Sequence, residues 1–161
     1  LIGSLAGAAP PLAGYCAVTD RFDAGAWILL SIFSLWQMAH AHAIAVLRFK
    51  DFAAAAVPSL AGERGVPAAK KHIVVFILAF SAAALALSLA GYTGFGFLAA
   101  ACFIGLLWLL MALGSLKADD DALWARKLYV FSIVSITLLS VMMAIDYSVP
   151  HSFGPLLSSI P

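Results

Sequence analysis

"IVVFILAFSAAALALSLAGYTGFGFLAAACFIGLLWLLMALGSL", residues 73–116, contains no Lys, Arg, Asp or Glu. A membrane-spanning helix needs about 20 consecutive apolar residues, so this run is long enough for two crossings. The glycines of "GYTGFG" (91–96) supply the turn between them. Residues 24–47 and 128–145 are likewise free of charge, which brings the number of clear spans to four. Residues 1–19 are also uncharged, but Gly3, Gly7, Gly14 and the Pro10-Pro11 pair predict a poor helix there, a broken or late-ending fifth span. The expected fold is therefore all-α: a polytopic transmembrane helix bundle with four clear spans and one partial one. It forms a single membrane domain over residues 1–161.

Composition supports that reading. The chain is 64% hydrophobic and 11% charged, with a mean hydropathy of +1.04. Soluble domains are about a quarter charged, so a water-soluble globular class is excluded. Net charge is only +1, with no basic tract of the kind that binds nucleic acid, so no nucleic-acid partner is expected. The positions of the cations say more than their sum. The nine are Arg21, Arg48, Lys50, Arg64, Lys70, Lys71, Lys117, Arg126 and Lys127. Alternation of four spans gathers all but Arg21 on one side, and the positive-inside rule makes that side cytoplasmic. The tail 147–161, rich in Pro and Gly, is then expected to be irregular and periplasmic.

Cys16 and Cys102 lie in separate apolar runs and read as packing residues, with neither disulfide nor metal spacing. There is no basic n-region followed by a cleavage site, so no secretory signal is read. The opening of the chain inside an apolar run, without Met, is the expected mark of the later part of something longer. The connection 48–72 is expected to continue the preceding helix no further than Pro58. A loop through Gly62, Gly65 and Pro67 should precede a helix starting near Ala68.

The stretch "LWQMAHAHAIAVLRFKDF" (35–52) carries the polar residues inside a span. At 100° per residue Asp51 returns to within about 20° of His40, Gln37 lies about 60° to one side, Trp36 about 40° to the other, and Arg48 about 80° away. If the helix persists to residue 51, Gln37, His40, Arg48 and Asp51 form one polar stripe, with His40 roughly 16 Å below Asp51. Arg48 and Lys50 also suit snorkelling anchors, and Asp51 a solvated loop acid. An imidazole inside a span is costly and faces a cavity or another helix. His42 points about 200° away from His40 and is expected to pack against a neighbouring helix. Two imidazoles at i, i+2 cannot chelate one ion from a regular helix. "DDD" (119–121), flanked by Lys117, Arg126 and Lys127, reads as a charge-balanced loop rather than a metal site, and Trp124 as an interfacial residue. Lys70 and Lys71 open a span on the same side as Arg48 and Asp51. They suit either a polyphosphate or the positive-inside rule. A cavity whose mouth carries cations and one carboxylate suits an anion arriving with a divalent metal, such as a diphosphate, with an apolar body below for an attached lipid.

"GSLAGAAPPLAGYCAVTDRFD" (3–23), "SLWQMAHAHAIAVLRFKDF" (34–52), "AAKKHI" (68–73) and "DDALWARKLYVFSIVSIT" (120–137) together resemble the haem O synthases. These are the protohaem IX farnesyltransferases among the UbiA-type intramembrane prenyltransferases. The resemblance runs along residues 1–147 and implies a nine-helix bundle in a bacterial or mitochondrial inner membrane, with the site open to the cytoplasm or matrix. It implies transfer of the farnesyl group of farnesyl diphosphate to a vinyl group of protohaem IX, making haem O. It further implies Mg²⁺ shared between two polar motifs. The second falls at Arg48–Asp51, with Asp51 as its metal ligand here, and the family's histidine motif falls at His40. The first motif is expected upstream of residue 1, so the chain corresponds to a C-terminal half and is expected to be inactive alone. Haem-processing or terminal oxidase assembly proteins are the implied partners. Where the family usually has Pro and Phe beside the histidine, this chain has Ala39 and Ala41, and "SLAGERG" follows Pro58 in place of a second proline-containing segment.

On that reading Asp51, Arg48 and His40 are the catalytic candidates. Trp36, Gln37, Lys50, Lys70 and Lys71 are the substrate-binding candidates, and Phe33 with Trp36 would offer aromatic faces to an allylic cation. His40 suits the haem iron, a propionate or a water. Three other readings stand beside this one: a prenyltransferase acting on a quinone-type acceptor, a transporter or channel fragment with a polar intramembrane pathway, and a b-type cytochrome. The last needs histidines on facing helices and is the weakest of them.

Overall fold

The computed structural model describes residues 2–114 and 120–148. It contains seven helices: α1 (Ile2–Thr19), α2 (Ala24–Leu47), α3 (Phe49–Ala54), α4 (Leu60–Arg64), α5 (Val66–Leu89), α6 (Phe95–Leu113) and α7 (Asp121–Ile145). Helices α2, α5, α6 and α7 are each long and apolar enough to cross a membrane. They alternate in direction and pack in a closed ring, α2 on α5, α5 on α6, α6 on α7 and α7 on α2, with α1 against α2. The chain is a polytopic helical membrane bundle, as its charge-free runs require. One end of the bundle carries Arg48, Lys50, Arg64, Lys70, Lys71, Arg126 and Lys127. The other carries Arg21, the α5–α6 turn and the end of α7. Lys117, Asp119 and the tail beyond Ser148 lie outside the described residues.

The core is built from Ile32, Ile73, Ile77, Phe80, Phe97, Trp108, Leu128 and Leu139, all buried. Phe80 and Trp108 meet edge to face at 5.4 Å, tying α5 to α6. Outward, Val75, Leu78, Phe103, Leu106, Leu110 and Val141 are at least half exposed. Apolar surface on that scale belongs in hydrocarbon, where helices already satisfy their own backbone groups.

Local chemistry sets the ends of the helices. Asp23 caps α2 by accepting from the Ala26 N–H, and Asp120 caps α7 by accepting from the Ala122 and Leu123 N–H groups. The α5–α6 turn places Gly91 at φ 83°, a conformation that a side chain resists. That turn is laced to the end of α7. Thr93 pairs with Tyr147, Ser148 donates from its backbone to Tyr92 O and from its hydroxyl to Gly91 O, and Asp146 Oδ2 accepts from the Phe97 N–H at 2.7 Å.

Several expectations change. Residues 2–19 form one unbroken helix despite Pro10 and Pro11. Those prolines remove the donors to the carbonyls of Ala6 and Gly7, and the gap is tolerated where α1 packs on α2: a Cβ at Gly7 would lie 3.1 Å from Gln37 Oε1. The helix through His40 does not persist to Asp51. It stops at Leu47, and Arg48 (φ −105°, ψ 33°) redirects the chain into α3. The angular projection across Arg48 therefore fails. Helix α5 starts at Val66, with Pro67 in its first turn, ahead of the expected Ala68. The "DDD" segment contributes to a helix start, with Asp120 as cap and Asp121 as first residue. Trp124 is buried, and Cys102 is exposed on α6.

Candidate active site

The α2 face between α1 and α7 collects the polar residues of the span. In order toward the cation-rich end it carries Leu29, Phe33, Trp36 with Gln37, and His40, at the three- and four-residue steps that share a helix face. Gln37 turns toward α1, against Gly7. Trp36 and His40 turn toward α7. Trp36 Nε1 donates to the Ser132 carbonyl at 2.8 Å, and its ring stacks on His40 with centroids 5.0 Å apart. His40 also lies 5.0 Å from the Tyr129 ring.

The protons around His40 can be assigned from this network. Ser132 is fully buried, and its hydroxyl donates to Tyr129 O at 2.6 Å. A hydroxyl has one proton, so the 2.7 Å contact between Ser132 Oγ and His40 Nδ1 takes its proton from the imidazole. His40 is thus held as the Nδ1–H tautomer, and Nε2 keeps its lone pair for an acceptor or ligand role. In hydrocarbon no water competes for that bond, so a buried serine is well suited to fix the ring.

Asp51 and Arg48 sit at the cation-rich end with side chains 71% and 67% exposed, their charged atoms 4.0 Å apart. Lys50 and Lys71 are exposed as well. Lys70 differs: its ammonium is buried, pairs with Asp121 and lies 4.9 Å above the Trp124 ring. It braces α5 against α7 from beneath the surface. Sequence reading treated Lys70 and Lys71 as a pair, but successive helical residues diverge by 100°.

Asp51 fits a Mg²⁺ ligand. Its carboxylate is open and held only at long range by Arg48, and Mg²⁺ is commonly bound through one or two carboxylates plus substrate phosphates. Among the described residues there is no group of three or more His, Cys, Asp or Glu side chains that could hold an ion alone, so the remaining ligands would come from elsewhere.

Toward the opposite end, Leu29 and Phe33 enter a cavity of about 740 Å³ between α1, α2 and α7, which Tyr15, Arg21, Asp23, Tyr92, Met143 and Tyr147 also line. Asp23 anchors its polar rim, accepting from the Tyr15 hydroxyl at 2.8 Å. Burial pushes the Asp23 carboxyl up, but the bonds from Tyr15 and the Ala26 N–H outweigh it and hold it below the usual carboxylate range. Burial pushes the Tyr92 phenol up. Sequence reading missed this rim and missed Ser132. The available signal was Ser132 and Ser135, one turn apart in a span whose hydroxyl residues also include Thr137 and Ser140.

The UbiA prenyltransferase family model matches residues 1–140. A protoheme IX farnesyltransferase of Enterobacter sp. is 59% identical over 94% of this chain and 52% of its own length. Those of Edwardsiella ictaluri and Escherichia coli O1:K1 are 58% and 57% identical over 99% and 94% of this chain, and 54% and 51% of their own lengths. The chain spans about half the length of the curated relatives it matches. No solved structure matches it.

Proposed function

Because the chain belongs to the UbiA prenyltransferase family, we propose that it supplies part of an intramembrane farnesyltransferase that joins farnesyl diphosphate to a vinyl group of protohaem IX, giving haem O. The donor and acceptor are those named for relatives at 57–59% identity. The observation that carries the reading is His40, fixed by Ser132 with Nε2 unprotonated, about 12 Å (eight residues) below the charged turn at Arg48.

Arg48 and Lys50, with Lys71 beside them, hold the diphosphate as the farnesyl C1–O bond breaks and the electron pair leaves on the diphosphate oxygen. Mg²⁺ held at Asp51 would supply further neutralisation of that leaving group. Trp36 and Phe33 present π faces that shield the allylic cation from water. The vinyl π electrons form the new carbon–carbon bond, and water adds to the resulting cation. His40 Nε2 accepts the proton that the water loses, leaving the hydroxyl of the product. Gln37 orients the acceptor, and Leu29, Phe33 and Met143 receive the prenyl chain. Lys70 keeps α5 and α7 in register. The positive-inside rule supports a bacterial inner-membrane orientation with the cation-rich end in the cytoplasm, where haem-processing or terminal oxidase assembly proteins would take up the product.

Haem extraction tests the reading, in a strain lacking its own haem O synthase. The chain is expressed alone and together with the complementary half of the Enterobacter relative, and haems are weighed by mass spectrometry. Haem O in the combined sample is the expected result. Protohaem alone in both, with both halves detected in the membrane, overturns it, and a prenylated quinone in its place reassigns the acceptor.

A further inference from the structure

A second pair of imidazoles lies on the other side of α2 and takes no part in the reaction above. His42 on α2 and His72 on α5 face each other across the helix contact, ring centroids 6.3 Å apart and planes inclined at 35°. Phe76, one turn beyond His72, meets His42 edge-on at 5.6 Å and forms an apolar floor. His72 Nδ1–H donates to the Ala68 carbonyl at 2.9 Å, four residues back. His72 therefore has its proton committed to its own helix and keeps its other ring nitrogen's lone pair. That is the arrangement of metal-ligating histidines, in which a backbone carbonyl fixes the tautomer through the other ring nitrogen.

From this geometry we propose that His42 and His72 form a two-imidazole site for a late first-row transition-metal ion, such as Cu²⁺, Ni²⁺ or Zn²⁺. An ion about 2.0–2.1 Å from each nitrogen puts two imidazole centroids about 5 Å apart at a tetrahedral angle and about 6 Å apart when the angle opens toward linear. The observed separation lies at the open end of that interval. His72 is exposed, so water can complete the coordination. Imidazole suits these metals, while the hard Mg²⁺ expected at Asp51 prefers oxygen. The two sites thus select different ions. His40 and His42 share a helix and cannot chelate together. The partner that His42 needed is supplied by α5, 30 residues on.

Cu²⁺ added to the chelator-stripped full chain, purified without a polyhistidine tag in detergent, tests the proposal. Titration is followed by electron paramagnetic resonance for nitrogen hyperfine structure, and Zn²⁺ competition gives a second affinity. Two equivalent imidazole nitrogens are expected at one ion per chain. His72→Gln should weaken binding by about tenfold or more, since loss of even an outer partner of a metal site costs about 10–100-fold. His42→Gln should do the same. If His42→Gln fails to fold, the exposed His72→Gln decides. A one-nitrogen signal, or unchanged affinity in His72→Gln, overturns the site. Neither readout depends on prenyl transfer.

Discussion

His40 and Ser132 are 92 residues apart in the chain and 2.7 Å apart in the fold. That bond, together with the one from Trp36 Nε1 to the Ser132 carbonyl, fastens α2 to α7 at a single buried residue. Ser132→Ala should lower stability by about 0.6 kcal/mol, the typical worth of an interhelical hydrogen bond in a membrane. Turnover should fall more than that loss explains, through kcat rather than KM, because the His40 tautomer is no longer fixed. In a His40→Ala background the same change should have little further effect on turnover, which a double-mutant cycle would measure.

Asp51→Asn should reduce turnover of the assembled enzyme by about a hundredfold or more, the scale associated with losing electrostatic stabilisation of a leaving group. The protein should still enter the membrane and migrate normally, because Asp51 is exposed and makes only the 4.0 Å contact to Arg48. Near-normal turnover across a Mg²⁺ titration would remove Asp51 from the mechanism.

Asp121→Asn removes a carboxylate that pairs with the buried Lys70 ammonium. Breaking a fully buried pair costs about 3–5 kcal/mol, and the half-exposed Asp121 brings the expected loss down to about 1–3 kcal/mol. Lys70→Met removes the buried charge while keeping an apolar stem, so it should destabilise less. Thermal unfolding in detergent separates the two, and equal losses would argue against the brace.

Asp23 gives a pH signature. Its carboxyl is held below the ordinary value of about 3.9. A depressed folded value means that the carboxylate's contribution is fully present above the unfolded value and is lost as pH falls through the folded one. Stability should therefore decline as pH drops below about 4. Asn keeps the helix cap but not the charge, so Asp23→Asn should lose at neutral pH about what the wild type loses on acidification, and its acidic limb should be flat. Unfolding midpoints between neutral pH and pH 3 would show whether the limb belongs to Asp23.

The spans were legible in the sequence because charge-free runs of 20 or more residues have few physical alternatives. Their alternation followed from the placement of eight cations, and the turn at 91–96 from its glycines. The helix through Pro10-Pro11 was not legible, because tolerance of a missing donor depends on what packs beside it. The break at Arg48 was hidden because "AVLRFKDF" contains no helix breaker. Within the site, His40 stood out as an imidazole in a span. Its tautomer required Ser132, which only the fold brings near. His42 read correctly as a packing residue against another helix, but its meeting with His72 is a matter of register between α2 and α5.

The lacing of the α5–α6 turn to the end of α7 has a mechanical consequence. Asp146, Tyr147 and Ser148 stitch three helix ends together through Phe97, Thr93, Tyr92 and Gly91. A bundle pinned at one rim flexes like a cup held by its base, with the amplitude of splaying growing toward the free lip. That lip is the cation-rich end, where α2 stops at Leu47 and the Lys70–Asp121 pair ties α5 to α7 but not to α2. Large amphiphiles would then be admitted by spreading that rim. Loosening the stitches should let the opposite rim leak, and accessibility of an introduced cysteine near Thr93 would report it.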